Sequence, residues 1–361
     1  MMTTILKRLP ETPVKGSLNN VPGFVPRRVF FEQAALDYQL GKKLYDSFRE
    51  LNVELKITGS HNRVTGIPGK TPLAGYVEAK RTLVVGVRRN LKFETCKPSA
   101  HYQLPLVTSC PGMCEYCYLN TTLGKKPYIR VYVNIDEILD RAGSYIKERA
   151  PEITVFEGAA TSDPLPVEPW TGALRQVIEF FGREEYGRFR FVTKFTDLDL
   201  LLDARHNGHT RFRFSLNTDH VISRFERGTP RLAERVEAAA RVAGAAYPLG
   251  FIIAPILVYT GWQEEYTELF RELQSALASG VPADLTFEFI THRFTARAKT
   301  NILDVFPETE LPMDEEGRRF KFGQFGYGKY VYPQDVFTGV KEHMYQLAAG
   351  YFPQARVEYF V

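Results

Sequence analysis

No run of roughly 18 apolar residues, the least that crosses a bilayer as a helix, occurs in this chain. Its longest apolar stretch, Leu249 to Tyr259, is interrupted by Gly250 and Pro255, which excludes a membrane-spanning helix. The opening residues Met1-Met-Thr-Thr-Ile-Leu-Lys-Arg8 lack the apolar core of a secretory signal, so the expected location is the cytoplasm. Cysteine is scarce, with four among 361 residues, which argues against a disulfide-stapled secreted scaffold. An excess of one charge is lacking too: a formal net charge of +4 announces neither nucleic acid nor a membrane surface by itself. Internal repeats and low-complexity tracts are also missing. What remains is an ordinary globular composition, 44% apolar, suited to one large domain with a small appendage.

Three of the four cysteines fall within eight residues, Cys110-Pro-Gly-Met-Cys114-Glu-Tyr-Cys117. Three thiolates this close can hold three irons of a four-iron, four-sulfur cluster (4Fe-4S) and leave the fourth iron open to a small molecule. S-adenosylmethionine (SAM) is the molecule expected at that corner, and its reduction yields a carbon radical. A zinc knot would need a fourth ligand at knot spacing. The only candidates upstream, Cys96 and His101, do not have it.

Residues 1–26, rich in Pro, Thr, Asn and Gly, read as a flexible tail. Residues 27–100 read as a small α/β unit, with Phe31, Ala35, Tyr38 and Tyr45 on a helical face and Arg81 to Val87 in a buried strand. Residues 101–295 alternate strand and helix. Expected strands are 104–108, 153–157, 188–193, 211–216, 250–253 and 285–290. The helical stripes between them include Ile135 to Ile146, Leu174 to Phe181, Leu198 to Ala204, 231–243 and Tyr266 to Leu277. About six βα repeats predict an α/β fold whose parallel sheet curls into a barrel or partial barrel. Residues 296–361 form a C-terminal segment.

Reactive groups in such barrels sit at the C-terminal ends of the strands. That rule selects the cysteine loop, then Ala160 to Asp163, Lys194, Ser215 with Asn217, Ala254-Pro255 and His292-Arg293. Ser162, Asp163, Lys194, Ser215 and Asn217 would make a polar ring suited to an amino acid and a ribose. The plainer alternative makes Ser162 and Asp163 helix caps and Lys194 a solvated charge.

The residues also carry a family resemblance. Thr82-Leu-Val-Val-Gly-Val-Arg-Arg89, Lys97-Pro-Ser-Ala100, Cys117-Tyr-Leu-Asn-Thr-Thr-Leu-Gly-Lys-Lys-Pro-Tyr-Ile-Arg-Val-Tyr132 and Phe191-Val-Thr-Lys-Phe195 are similar to the spore photoproduct lyases. So are Leu202 to Ser215, Leu249 to Ile256, His292-Arg-Phe-Thr295 and Gly326 to Tyr332. The resemblance runs from about residue 25 to 361. It implies a partial (β/α)6 radical-SAM barrel that repairs ultraviolet-damaged DNA, splitting the methylene bridge between two thymines through a 5′-deoxyadenosyl radical. The implied metal ligands are Cys110, Cys114 and Cys117. Tyr116, Ser162, Lys194, Ser215 and Asn217 are the implied SAM contacts, and Tyr116 with Tyr118 the implied hydrogen relay. A small reducing partner such as a flavodoxin or ferredoxin, and a monomeric state, belong to the same expectation. Tyr118 could equally be a packed core tyrosine.

One departure stands out. Where the family places its hydrogen-donor cysteine, in Glu-Ala-x-Cys-Thr-Ser-Asp, this chain reads Glu157-Gly-Ala-Ala160-Thr-Ser-Asp163. Alanine has no weak S–H bond to offer. Tyr116, Tyr118 or Cys96 could supply the hydrogen instead, although Cys96 lies outside the rim positions and reads more simply as an incidental thiol. A divergent paralogue with another nucleic-acid or small substrate, or a DNA-binding relative without turnover, stays open.

The stretch Arg318 to Tyr332 interleaves cations, aromatics and glycines, which predicts a hairpin turning at Gly323 and Gly326 or Gly328. Arg293, Arg318, Arg319, Lys321, Lys329 and Tyr330 are the expected DNA contacts. Gln324-Phe325 replaces the family's Arg-Tyr there, and Thr291 replaces a glutamine.

Overall fold

The computed structural model describes residues 23–322, 326 and 328–361. Most of the expected tail, and Gly323, Gln324 and Phe325, lie outside the described residues. The last residues of that tail belong to the body: Phe24 is buried, and its carbonyl accepts the Trp170 indole N–H at 2.6 Å.

In chain order the strands are β1 (Arg28–Glu32), β2 (Glu54–Thr58), β3 (Thr82–Gly86), β4 (Thr95–Cys96), β5 (Ala100–Gln103), β6 (Val107–Thr108), β7 (Met113–Cys114), β8 (Ile129–Tyr132) and β9 (Thr154–Glu157). They continue with β10 (Gly187–Thr193), β11 (Thr210–Leu216), β12 (Glu226–Arg227), β13 (Leu249–Ile256), β14 (Thr286–Thr291), β15 (Arg319–Phe322), β16 (Gly328–Val331) and β17 (Arg356–Phe360). The larger sheet has the order β17-β14-β13-β11-β10-β9-β5-β4. From β5 to β17 its strands are parallel, and β4 lies antiparallel on β5 at the edge. This is the expected partial barrel, with a seventh parallel strand, β17, added beyond the predicted six.

The second sheet, β2-β1-β3-β8-β6, corrects the expected domain boundaries. Residues 107–108 and 129–132 fall inside the span assigned to the barrel, yet they pair in the N-terminal sheet. The expected strand over 104–108 is divided for the same reason. The barrel strand is instead β5, which ends at Gln103 before the expected span begins, and Val107–Thr108 turns away to pair with β8. Phe31 sits in strand β1, not on a helical face, because Arg28–Glu32 is buried between β2 and β3. Leu198 to Ala204 forms successive three-residue turns, with Leu201 N–H on Leu198 O and Ala204 N–H on Leu201 O, in place of the predicted helix. Asp219–Phe225, capped by the Thr218 hydroxyl on Val221 N–H at 3.3 Å, is a helix the pattern did not suggest.

Period-two alternation explains what fills the barrel. Phe189 and Phe191 on β10, Phe212 and Phe214 on β11, and Phe287 and Phe289 on β14 lie in the main apolar core. Each such ring contributes roughly 2–3 kcal/mol by leaving water. The alternate residues Arg190, Arg213 and Glu288 turn to the other face and meet Glu157 from β9. Arg213 Nη1 donates to both Glu288 carboxylate oxygens at 3.0 Å and Arg190 Nη1 to Glu358 at 2.8 Å, while Arg213 also pairs with Glu157 and Arg190 with Glu288. The interior is therefore a buried ionic lattice. Its neighbours in strand parity, Lys194 above Arg190 and Ser215 above Arg213, are carried to the rim.

Candidate active site

The cysteine loop leaves the N-terminal sheet through Ser109, which takes φ 66°, a left-handed conformation that costs a non-glycine residue roughly 1–2 kcal/mol. Several bonds hold it there. Ser109 N–H reaches Thr161 O at 2.8 Å, and its hydroxyl donates to Pro127 O at 2.8 Å. The buried Lys80 ammonium donates to Ser109 Oγ at 3.3 Å and to Cys110 O at 3.0 Å. Beyond it, β7 pairs with β12, placing Glu226 opposite Cys114. Sequence reasoning missed both Lys80 and Glu226. They come from distant segments and carry no spacing signal.

The three sulfurs fit a cluster. Burial pushes the Cys110 thiol up to about 11, against the pull of Lys80, and raises Cys114 further still. Thiols held in this way ionise only when a strong cationic partner binds them. Among the described residues no three His, Cys, Asp or Glu side chains close around a single ion.

Behind the loop, Glu226 is fully buried and gathers the rim. Lys194 Nζ donates to its Oε1 at 2.8 Å and to the Tyr116 hydroxyl at 3.1 Å; Arg235 Nη2 donates to its Oε2 at 2.6 Å; the Tyr116 hydroxyl donates to it as well. Burial opposes ionisation, but Lys194 and Arg235 outweigh it and hold the carboxyl at about 2. Lys194 is thus not a solvated surface charge. Asp163 supports the capping reading: it accepts Leu165 N–H at 3.2 Å, the Thr193 hydroxyl at 3.0 Å and Lys194 N–H at 2.9 Å. Ser162 Oγ is buried and has no partner among the described residues, an unfilled acceptor and donor at the rim. Ser215 is buried beside them. Asn217 turns elsewhere: its amide donates to Pro255 O at 2.8 Å and its oxygen accepts Tyr266 O–H at 2.8 Å, so this side chain braces β13 and the helix Trp262–Ala276.

Ala160 lines a cavity of about 180 Å³ with Gly158, Thr161, Gln103, Thr108 and Tyr132. Tyr118 is 58% exposed, which removes the packed-core reading, and its hydroxyl donates to Ala160 O. Cys96 is not among the residues lining that cavity. It lies on β4 opposite Ala100, half-buried, and the β4–β5 turn is tied down by Ser99 Oγ on Glu157 at 3.0 Å. A wider cleft of about 480 Å³ lies between Tyr38, Arg88, Arg89 and Glu137, and Arg88 lines both cavities.

The expected hairpin is present as β15 and β16. Gly328 lies within β16 and not in the turn; a Cβ there would meet the Phe320 ring at 2.1 Å. Lys321 stands directly opposite Lys329, and partial burial, with Arg293 and Lys321 adding to it, weakens protonation of Lys329. Like charges facing each other across two strands are unfavourable unless an anion neutralises them. Phe320 and Phe322 are exposed beside them, Phe322 at 72%. Arg319 is exposed and Tyr330 is half-buried against Phe294. Arg318 differs from its expected role. Its guanidinium donates to His292 O at 2.9 Å and Pro312 O at 3.0 Å and lies 3.9 Å from the Tyr332 ring centroid, so it holds the base of the hairpin and is not free for phosphate.

A loop of three closely spaced cysteines, with Cys114 buried, at the C-terminal rim of a curled parallel sheet puts this chain in the radical-SAM class. Within that class, the family model described as Spore photoproduct lyase matches residues 24–361, and the chain belongs to this family. It is 52% identical over 337 residues to the spore photoproduct lyase of Bacillus subtilis (strain 168), covering 93% of this chain and 98% of that protein. The Geobacillus sp. (strain Y412MC61) protein is 54% identical over 337 residues, covering 93% and 99%. A solved spore photoproduct lyase double mutant has one cysteine replaced by alanine and one serine by cysteine, and holds AdoMet and dinucleoside spore photoproduct. It matches with a TM-score of 0.92 at 54% identity, over 94% of this chain and 100% of that one. Another, complexed with dinucleoside spore photoproduct, has a TM-score of 0.92 at 53% identity, with 94% and 100% covered.

Proposed function

We propose that this protein is a radical-SAM lyase that reverses spore photoproduct in ultraviolet-damaged DNA, restoring two thymines. The observation that carries the reading is the arrangement of the cysteine loop, the Lys194–Glu226–Tyr116 cluster and the Ala160 cavity at one rim, in a chain more than half identical to enzymes of that name. Cys110, Cys114 and Cys117 would hold the 4Fe-4S cluster, and Tyr116, Ser162, Lys194 and Ser215 would face SAM. When bound, cluster and SAM together supply a carbon-centred radical able to take hydrogen from the lesion. The chain's own work is positional. Glu226 fixes the Lys194 ammonium and the Tyr116 phenol, Lys80 fixes the cysteine loop, and Ser162 offers a hydroxyl not otherwise engaged.

Arg293, Arg319, Lys321 and Lys329 would take the phosphates of DNA, with Phe320 and Phe322 beside the extruded lesion. The reading extends to a cytoplasmic monomer fed by a flavodoxin or ferredoxin. It draws support from the family and from the fact that, among the described residues, no helix is long and apolar enough to cross a membrane. The test is anaerobic incubation with SAM, reductant and dinucleoside spore photoproduct. Thymine dinucleoside formed over many turnovers is expected. Release of 5′-deoxyadenosine without repair would overturn the assigned substrate, and an intact cluster that leaves SAM uncleaved would overturn the enzyme reading.

A further inference from the structure

Five lysine or arginine side chains are buried among the described residues: Arg28, Lys80, Arg190, Arg213 and Arg235. Each arginine meets a carboxylate. Arg28 pairs with Glu54 and Glu78, Arg190 and Arg213 share Glu288, and Arg235 pairs with Glu226. Lys80 is 1% exposed and has no carboxylate at ion-pair distance among the described residues; its ammonium donates to two neutral acceptors, Ser109 Oγ at 3.3 Å and Cys110 O at 3.0 Å. A fully buried charge is costly, and lysines are almost never buried in this way unless paired. We propose that the missing partner is the iron–sulfur cluster, so that Lys80 is the cluster's built-in counter-charge and sets how readily it accepts an electron. The inference rests on the radical-SAM reading above.

Place and company carry it further. Lys80 ends the helix Pro72–Lys80, and its bond to Cys110 O sets the ammonium on the backbone of a cysteine expected to hold iron. The carbonyl end of a helix favours a cation, but it supplies only about half an elementary charge, short of a full counter-ion. Tyr76 lies one turn earlier on the same helix face. Its ring centroid is 5.4 Å from Lys80 Nζ, and the ring belongs to an apolar cluster against which Met113 and Tyr116 of the cysteine loop pack. The Tyr76 hydroxyl is buried and has no hydrogen-bond partner among the described residues. One helix face thus offers a cation without an anion and a donor without an acceptor, beside the loop of three cysteines. Both call for a negatively charged acceptor. A four-iron cluster on three thiolates is one, since its net charge is negative and its sulfurs accept hydrogen bonds.

The electrostatic consequence has a definite sign. Reduction adds one electron from the low-potential carrier to the cluster, and no proton moves with it. The reduced cluster therefore carries one more negative charge than the oxidised one. A fixed cation beside it favours the reduced form and raises the reduction potential. Water is excluded from Lys80, so this attraction is screened far less than one at the surface. A lysine that only tied the loop in place would have no need of its charge, because a neutral donor can satisfy Cys110 O and Ser109 Oγ.

The experiment compares wild type, Lys80→Met and Lys80→Arg as full-length chains reconstituted anaerobically with iron and sulfide. Methionine keeps much of the length without the charge, and arginine keeps the charge. Electron paramagnetic resonance at graded potentials reads the fraction of cluster reduced. At the wild-type midpoint potential, Lys80→Met should show a several-fold smaller reduced fraction, and Lys80→Arg should stay near wild type. A second readout needs no cluster. Urea unfolding of the iron-free chain should show an unchanged or higher midpoint in Lys80→Met, since a buried charge without a counter-ion has been removed. Failure of Lys80→Met to retain iron, with that midpoint kept, would likewise support the counter-charge. A wild-type potential in Lys80→Met, an equal shift in both variants, or a lowered midpoint of the iron-free Lys80→Met chain would overturn the assignment. A wild type that assembles no reducible four-iron cluster would instead overturn the radical-SAM reading itself.

Discussion

Glu226 has no exposed atom of consequence, yet it meets Lys194, Arg235 and Tyr116 at once. Removing its charge leaves two cations facing each other without a counter-ion, a situation that costs about 3–5 kcal/mol in buried settings. Glu226→Gln should therefore lower the denaturant midpoint markedly and weaken SAM binding, read by urea unfolding and equilibrium dialysis. An unchanged midpoint would show that Lys194 finds another partner. At this scale the sequence was most legible where chemistry is written locally. Cys110, Cys114 and Cys117 declare themselves by spacing, and Lys194 by its place at a strand end. Glu226 and Lys80 do not, because their roles arise from contacts with Lys194, Tyr116, Ser109 and Cys110 that lie 29 to 110 residues away in the chain. Asn217 misleads for a related reason: its place at the end of β11 suits a ligand, but Pro255 and Tyr266 take its hydrogen bonds.

The β15–β16 hairpin is the element whose design makes least sense alone. Two lysines face each other, two phenylalanines are bare, and nothing in β15 is buried. Replacing Lys321 and Lys329 by alanine should weaken binding to duplex DNA uniformly across sequences and reduce the slope of log K against log salt by about 2, roughly one per lost phosphate contact. Thermal stability should hold or rise slightly as the repulsion disappears. A loss of stability with an unchanged salt slope would make the hairpin a packing element. Alternating sequence made this hairpin readable, as it did β10, β11 and β14. Edge strands were harder. β17 lies at the rim of the sheet with only one neighbour to bury it, so Arg356–Phe360 gives little hydrophobic pattern. Leu198 to Ala204 has helical spacing, but Asp197, Asp199 and Asp203 favour local turns over a continuous helix.

For the molecule as a whole, the buried groups set a pH window. His292 is held neutral by burial, with Arg318 adding to the effect, and its pKa falls from 6.5 to about 3. Its folded value lies below its unfolded one, so the unfolded chain binds more protons between those limits. Stability is full above 6.5 and is lost as pH falls toward 3. The contribution lost by pH 5 is about 2 kcal/mol. Compared with wild type, His292→Gln should show a smaller drop in urea midpoint between pH 7 and pH 5, and parallel drops would refute the assignment. Asp163 and Glu168 act in the opposite sense, since burial raises them to about 6 and about 7, and their protonated forms favour the fold. The comparison of variants isolates the histidine from them. The partial barrel itself was visible in the order of strands and helices, whereas the second sheet was not. It takes β6 from just before the cysteine loop and β8 from beyond it, a long-range pairing that local pattern does not encode.

The fastening of the cysteine loop has a consequence for transplantation. Its start is tied to Thr161, Pro127 and Lys80, and its β7 part pairs with β12, so its shape is set by segments far from it in the chain. The loop could not be moved to another scaffold as a contiguous segment and keep that shape; Lys80 and β12 would have to travel with it.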